Sequence, residues 1–117
     1  MNPNEMTEKV LQAFQSAESI VKEKEQQMLT GMHILLAFLQ QNDGLVPRIL
    51  ERLTVSVQSV IQAVEEKVNQ LPQIQGANQQ LYMSNALVEI IQKAEQDKKN
   101  QEDQFLSTEH VFYAMVK

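Results

Sequence analysis

The side chains able to do acid–base or nucleophilic chemistry are few in this chain and poorly placed for it. His33 and His110 are its two histidines, it has no cysteine, and its 15 carboxylates are dispersed. A catalytic site needs an acid, a base and a nucleophile that converge, and no such set is visible. Each histidine stands three residues after a hydroxyl, Thr30 or Ser107, which sets both beside the capping residue of a helix. The positive end of a helix disfavours protonation, so neither ring is expected to act as a cation or general base. Two histidines without cysteine make too small a ligand set for structural zinc. No Gly-x4-Gly-Lys-Ser/Thr sequence occurs, so these residues hold no phosphate-cradling loop and are expected to bind no cofactor themselves. The two arginines, Arg48 and Arg52, do not make a basic stripe, and the net charge of −5 is spread as −2, −1 and −2 over residues 1–40, 41–80 and 81–117. Nucleic acid and acidic membranes are poor partners for such a surface.

What remains is a scaffold, and its elements read as helices. The chain has three Gly and three Pro among 117 residues, is rich in Gln, Glu, Lys, Ala and Leu, and nowhere alternates convincingly with period two. Thr7 caps a helix over about 8–24 with Val10, Leu11, Phe14, Ala17 and Val21 on one face. Thr30 caps a second with Ile34, Leu35, Phe38 and Leu39, ended by Asn42-Asp43-Gly44. Pro47 suits the first turn of a short third helix through Arg52. Ser56 caps a fourth, whose Val57, Val60, Ile61, Val64, Val68 and Leu71 form the cleanest stripe in the chain. Residues 72–83 read as a polar surface connection. Ser84 caps a fifth helix with Leu87, Val88, Ile91 and Ala94, and Ser107 a sixth with Val111, Phe112 and Met115. The N-terminus lacks a basic start and an apolar run, so neither a secretion signal nor a membrane span is expected.

Shifted by 77, residues 7–39 lie on residues 84–116 without a gap. Identities include Gln15/Gln92, Ala17/Ala94, Glu18/Glu95, Glu25/Glu102, Gln27/Gln104, Leu29/Leu106, His33/His110 and Ala37/Ala114. Caps and core positions agree in kind at Thr7/Ser84, Thr30/Ser107, Val10/Leu87, Met28/Phe105 and Ile34/Val111. The expectation is an all-α domain of two pseudo-symmetric helical repeats over residues 1–117: repeat one about 7–71, connection 72–83, and a partial repeat two at 84–117. Counterparts of residues 41–71 would fall at 118–148, so the reading treats the chain as a fragment cut inside its second repeat. A naturally shortened second copy is the other account. Cutting there would leave the apolar faces of Val111, Phe112 and Met115 uncovered.

The segments Leu29-Thr30-Gly31-Met32-His33-Ile34-Leu35-Leu36-Ala37 and Leu106-Ser107-Thr108-Glu109-His110-Val111-Phe112, each after a capped amphipathic helix, resemble the double repeat of the Clp ATPase N-terminal domain. Met6-Thr7-Glu8-Lys9 and Leu71-Pro72-Gln73-Ile74-Gln75-Gly76 look more like the ClpB disaggregase branch than the ClpA or ClpC branches. The resemblance implies a cytoplasmic, non-enzymatic domain in front of a homohexameric AAA+ ATPase whose downstream modules take ATP and magnesium. It implies recognition of unfolded or aggregated polypeptide for threading, in cooperation with the DnaK (Hsp70) system. The rival it leaves open is an adaptor-docking domain of a ClpA- or ClpC-type unfoldase that feeds the ClpP peptidase.

Within that resemblance, Thr7, Asp103 and Glu109 match positions linked to substrate handling in ClpB-type domains. Thr7 reads equally well as a helix cap, and Glu109 as an acid favoured by the helix dipole. Divergence between the copies points to the same turn, since Asp103 and Glu109 stand opposite Gln26 and Met32. Unfolded chains call for exposed apolar surface with adaptable side chains, and Met6, Met32, Leu81 and Tyr82 are the candidates to line a groove between the repeats. Asp97, Lys98 and Lys99 put charge where ClpB-type sequences often keep an apolar residue, and read as a solvated face.

Overall fold

The computed structural model describes residues 2–74 and 80–117. Among the described residues there are six α-helices: α1 (Glu8–Glu23), α2 (Gly31–Leu39), α3 (Leu45–Arg52), α4 (Val57–Asn69), α5 (Asn85–Asn100) and α6 (Thr108–Val116). A 3-10 turn, Pro3–Glu5, precedes them. Thr7, Ser56 and Ser84 each cap as their sequence predicts, accepting from the N–H of Val10, Ser59 and Leu87 respectively. Such caps satisfy donors that helix geometry leaves orphaned. Gly44, not a side-chain oxygen, sits at the N-cap of α3, and Pro47 lies in that helix's first turn.

Helices α1 and α5 end alike, and the repeat explains why. Glu25 and Glu102 adopt left-handed φ of 55° and 57°. In both, the following N–H reaches back to the last turn: Gln26 to the Val21 carbonyl at 2.9 Å, and Asp103 to the Lys98 carbonyl at 3.0 Å. These bonds and those of Glu25 and Glu102 themselves close a Schellman motif in each copy. The shared glutamates thus occupy a backbone conformation that usually selects glycine.

What period-two patterning could not reveal are two very short parallel pairings that join the repeats. Strand β1 (Met28–Leu29) pairs with β2 (Tyr82–Met83), Met28 opposite Tyr82 and Leu29 opposite Met83. Ser84 N–H then donates to the Leu29 carbonyl at 2.9 Å. Met6 forms a parallel bridge with Leu106, and Thr7 N–H donates to the Leu106 carbonyl, also at 2.9 Å. Subtracting the offset, these are one interaction made twice: the residue that caps the long helix of one repeat is held by the other's copy of the leucine that both repeats share. The connection therefore ends in a strand, and Tyr82 belongs to it. Pro72 to Ile74 run against the end of α1, with Ile74 N–H on the Glu25 carbonyl at 2.7 Å. The polar stretch Gln75-Gly76-Ala77-Asn78-Gln79 lies outside the described residues.

The core runs through both repeats without a break. Val10, Ala13, Phe14, Ala17 and Val21 of α1, Ile34, Leu36, Ala37, Phe38 and Leu39 of α2, and Leu87, Ile91 and Ala94 of α5 are buried together with Leu29, Leu106 and Val111. Helices α3 and α4 add Val46, Val64 and Val68. Three expectations are corrected here. Val88 and Phe105, expected as core, are exposed: the pairing of Leu106 with Met6 turns Leu106 inward, and Phe105 lies on the outward side. Val111 is fully buried, with Phe112 and Met115 half-buried against the core, so the apolar side chains left exposed on α6 are Tyr113 and Val116. Lys98 is buried rather than solvated, in the position that Val21 fills in repeat one. Its stem is buried while its ammonium reaches Glu95 at 3.6 Å and Glu5 at 3.7 Å, tying the N-terminal 3-10 turn to α5.

Replacing Glu102 by Gly should raise stability by about 0.5–1 kcal/mol in urea unfolding, the relief of left-handed strain exceeding the added freedom of the unfolded chain. Destabilisation would contradict the strain assigned to that position.

Candidate functional site

The two histidines and their partners form matched polar clusters, one per repeat. His33 lies at the third position of α2 and turns its ring back over the cap, where Nδ1 accepts from Thr30 N–H at 3.0 Å and lies 2.9 Å from Thr30 Oγ1. His110 does the same in α6, with Ser107 N–H at 2.9 Å and Ser107 Oγ at 2.9 Å. A capping box ordinarily uses Glu or Gln at this place. Histidine serves because the acceptor Nδ1 fixes the proton on Nε2, which becomes a directed donor.

The target of that donor differs between the copies. In repeat one, His33 Nε2–H donates to Gln26 Oε1 at 2.7 Å. The Gln26 amide in turn donates to the carbonyl oxygens of Val68 at 2.7 Å and Leu71 at 3.4 Å, fastening the end of α4. In repeat two, His110 Nε2–H donates to Asp103 Oδ2 at 2.8 Å. A carboxylate has no N–H to pass on, so Asp103 holds the ring while its side chain stays 44% exposed. The divergence of Gln26 and Asp103, visible in the sequence, is a change from an internal tie to a solvent-facing acid on an identical frame.

Both ring nitrogens of each histidine are engaged, and the hydroxyl beside each ring, Thr30 or Ser107, belongs to the helix cap, so these clusters are built to hold structure rather than to transfer protons. No group of three or more His, Asp or Glu able to hold a metal ion occurs among the described residues.

Around this frame, the residues singled out in the sequence fall into two groups, one at each cross-repeat pairing. Met6, Thr7, Asp103 and Glu109 gather at the Leu106 pairing. Thr7 is half-buried and fully used by the fold: its hydroxyl accepts from Val10 N–H at 3.4 Å, and its own N–H is bonded to Leu106. Glu109 is exposed in the first turn of α6. Met6 is not available to line a groove; the bridge to Leu106 draws it into the core, where 8% of it remains exposed. At the other pairing, Met32 and Tyr82 are exposed, and Leu81 is half-buried against the core. Phe105 joins the first group; its repeat register, opposite the half-buried Met28, pointed to the core and so gave no signal of an exposed site. Thus Tyr82 within β2 and Phe105 beside Leu106 place an exposed aromatic at each pairing, with Met32 in the first turn of α2 just beyond β1.

Comparison with known proteins agrees with this architecture. The family described as the Clp repeat (R) N-terminal domain matches residues 5–117. This chain belongs to that family and is a Clp ATPase N-terminal domain. The chaperone protein ClpB of Bdellovibrio bacteriovorus is 35% identical over 112 residues, a match that takes in 96% of this chain and 13% of that protein. ClpB of Staphylococcus epidermidis is 36% identical over 118 residues, covering 99% of this chain and 14% of that protein. The chain therefore spans about one-seventh of the length of these curated relatives. Among solved structures, the Hsp104 N-terminal domain of Candida albicans superposes with a TM-score of 0.87 at 17% identity, over 97% of this chain and 74% of that one. A complex of the ClpV N-domain with a VipB peptide superposes with a TM-score of 0.78 at 21% identity, over 96% and 68%. At these identities the two structures establish the shared fold.

The frame carries an acid-sensitive element. Burial, and to a lesser degree the Lys24 ammonium, push the fully buried His33 imidazole down from 6.5 to about 4. The unfolded chain binds this proton first as pH falls, so the stabilisation is complete above about pH 6.5 and is lost progressively towards pH 4. The loss from this group should approach about 3 kcal/mol in urea titrations at pH 7 and pH 4. His33→Gln should flatten the dependence in that window; an unchanged slope would remove His33 as its source.

Proposed function

We propose that this domain recognises unfolded or aggregated polypeptide on behalf of a ClpB-type AAA+ disaggregase, in which downstream modules bind ATP and magnesium and thread the captured chain. The parent is a cytoplasmic homohexamer working with the DnaK (Hsp70) system, and the present residues contribute binding without catalysis. One observation carries this reading: Met32, Tyr82 and Phe105 are 41%, 52% and 44% exposed, all beside the segments where the repeats pair. Exposed apolar side chains of this kind suit a heterogeneous partner, because they bind by area and adapt to sequence.

The naming of the matched relatives as ClpB favours disaggregation over delivery to ClpP. The solved complex of a ClpV N-domain with a peptide supports the narrower point that this fold can hold one. Binding is weak by construction, since a small apolar patch must offset the ordering of a flexible chain. Weak capture also permits release to the motor. Thr7, Asp103 and Glu109 frame the patch at the Leu106 pairing. Thr7 sets the backbone there, while the two acids give it a negative rim.

A reduced, carboxymethylated protein that cannot fold is a suitable probe, titrated into the labelled domain and followed by amide shifts. Shifts should cluster at residues 28–32, 81–84 and 103–110. Tyr82→Ser with Phe105→Ser should weaken binding about tenfold, the loss of two partly buried rings, with the fold intact by circular dichroism. Undiminished binding by that double variant would overturn the assignment. Asp103→Asn separates rim charge from framework, because asparagine still accepts from His110; stability should change by less than about 1 kcal/mol while binding of basic segments falls.

A further inference from the structure

Helix α3 presents a face to solvent that neither the repeats nor the reading above employs. Val46 and Leu50 point to the core, while Leu45 and Ile49, only half-buried, lie on the other side in a row beside Arg48 and Arg52. These four residues line a shallow apolar slot of about 230 Å³. Leu53 and Val55 continue the apolar surface beyond the end of the helix, at 63% and 41% exposure. Arg48 and Arg52, the chain's two arginines, are exposed residues; Arg48 Nε–H donates to the Gly44 carbonyl at 3.4 Å, and neither has a carboxylate within ion-pair distance among the described residues. Glu51 on the same helix lines a different groove, together with Asp43 and Glu65. Positive charge is thereby isolated from the protein's acids around an aliphatic floor, in a chain whose net charge is −5.

We propose that this face of α3 is a docking surface for an acidic amphipathic segment of another protein, one bearing two carboxylates a helical turn apart beside aliphatic side chains. Arg48 and Arg52 stand four residues apart, so their charges project one above the other along the helix. Planar guanidinium groups recognise carboxylates in bidentate fashion, which fixes the register of the partner, while the Leu45–Ile49 floor accepts its apolar side chains. That floor offers no hydrogen-bond donors, which disfavours a free phosphate as occupant. A basic or neutral unfolded chain finds no complement here, so the surface is selective where the patch at the repeat pairings is permissive. The inference stands independently of that patch.

The test uses a short fluorescein-labelled helical peptide carrying two Glu one turn apart beside two Leu, and a matched peptide with Lys for both Glu. The acidic peptide should shift amides within residues 45–55, and Arg48→Glu with Arg52→Glu should weaken it by at least about tenfold while admitting the Lys peptide. Both side chains are exposed, so the reversed variant should keep the wild-type circular dichroism spectrum. Tyr82→Ser with Phe105→Ser should leave this binding unchanged. Shifts confined to other residues, or equal binding of the Lys peptide by the wild type, would overturn the proposal. Concentration-dependent self-association abolished by the same Arg reversal would also overturn it, assigning the face to a second copy.

Discussion

The N–H of Thr7 on the Leu106 carbonyl and the N–H of Ser84 on the Leu29 carbonyl, both 2.9 Å, are where each repeat grips the other. Their net worth is modest, about 1 kcal/mol apiece, but leaving such groups buried and unpaired would cost more. Position gives them their weight. Each sits at the capping residue of a long helix and next to a buried leucine, so the same few atoms set the start of α1 and α5, the inward facing of Leu29 and Leu106, and the outward facing of Tyr82 and Phe105. A domain-wide core follows, because neither repeat can bury its leucine without the other.

The helical scaffold was legible because local chemistry decides it. Thr7, Ser56 and Ser84 announce helix starts through short-range capping, and the valines of α4 announce a face through spacing. The duplication was legible for the same reason: caps, turn and core all repeat at one offset. The pairings were not. Two-residue strands carry no periodicity, and their partners lie far apart along the chain, so only the tertiary structure reveals that Met6 is core and Phe105 is surface. Lys98 illustrates a second limit, since a charge at a core register reads as solvent-exposed until the carboxylates of Glu5 and Glu95 are known to stand beside it.

Of the candidate residues, Asp103 was the most informative from sequence, because duplication supplies its own control. The same helix end, the same turn and the same histidine surround Gln26 and Asp103, so the difference in side chain isolates a difference in task. The logic fails for Glu109, which stands opposite Met32: both are exposed at the start of a helix, and the frame holds neither. It was silent on Arg48 and Arg52, whose register has no second copy here for comparison.

The crossing of the pairings has a consequence for how such a domain could arise. A lone repeat would present its Leu29 edge and its Thr7 cap unpaired, each complementary to the same groups on an identical chain. Two such chains would satisfy one another through an isologous, two-fold interface, the commonest symmetry of oligomers. Fusing the genes of such a dimer leaves every contact in place while freeing the halves to diverge. Gly31 shows that freedom in use: its hydrogen faces Ile90 of the other repeat, at a distance where an added methyl would meet that side chain at 3.3 Å. The corresponding positions hold Thr108 and Ala13, the bulk having moved to the other member of the pair. A symmetric ancestor has to place one compromise at both sites; the fused chain is free to solve each separately.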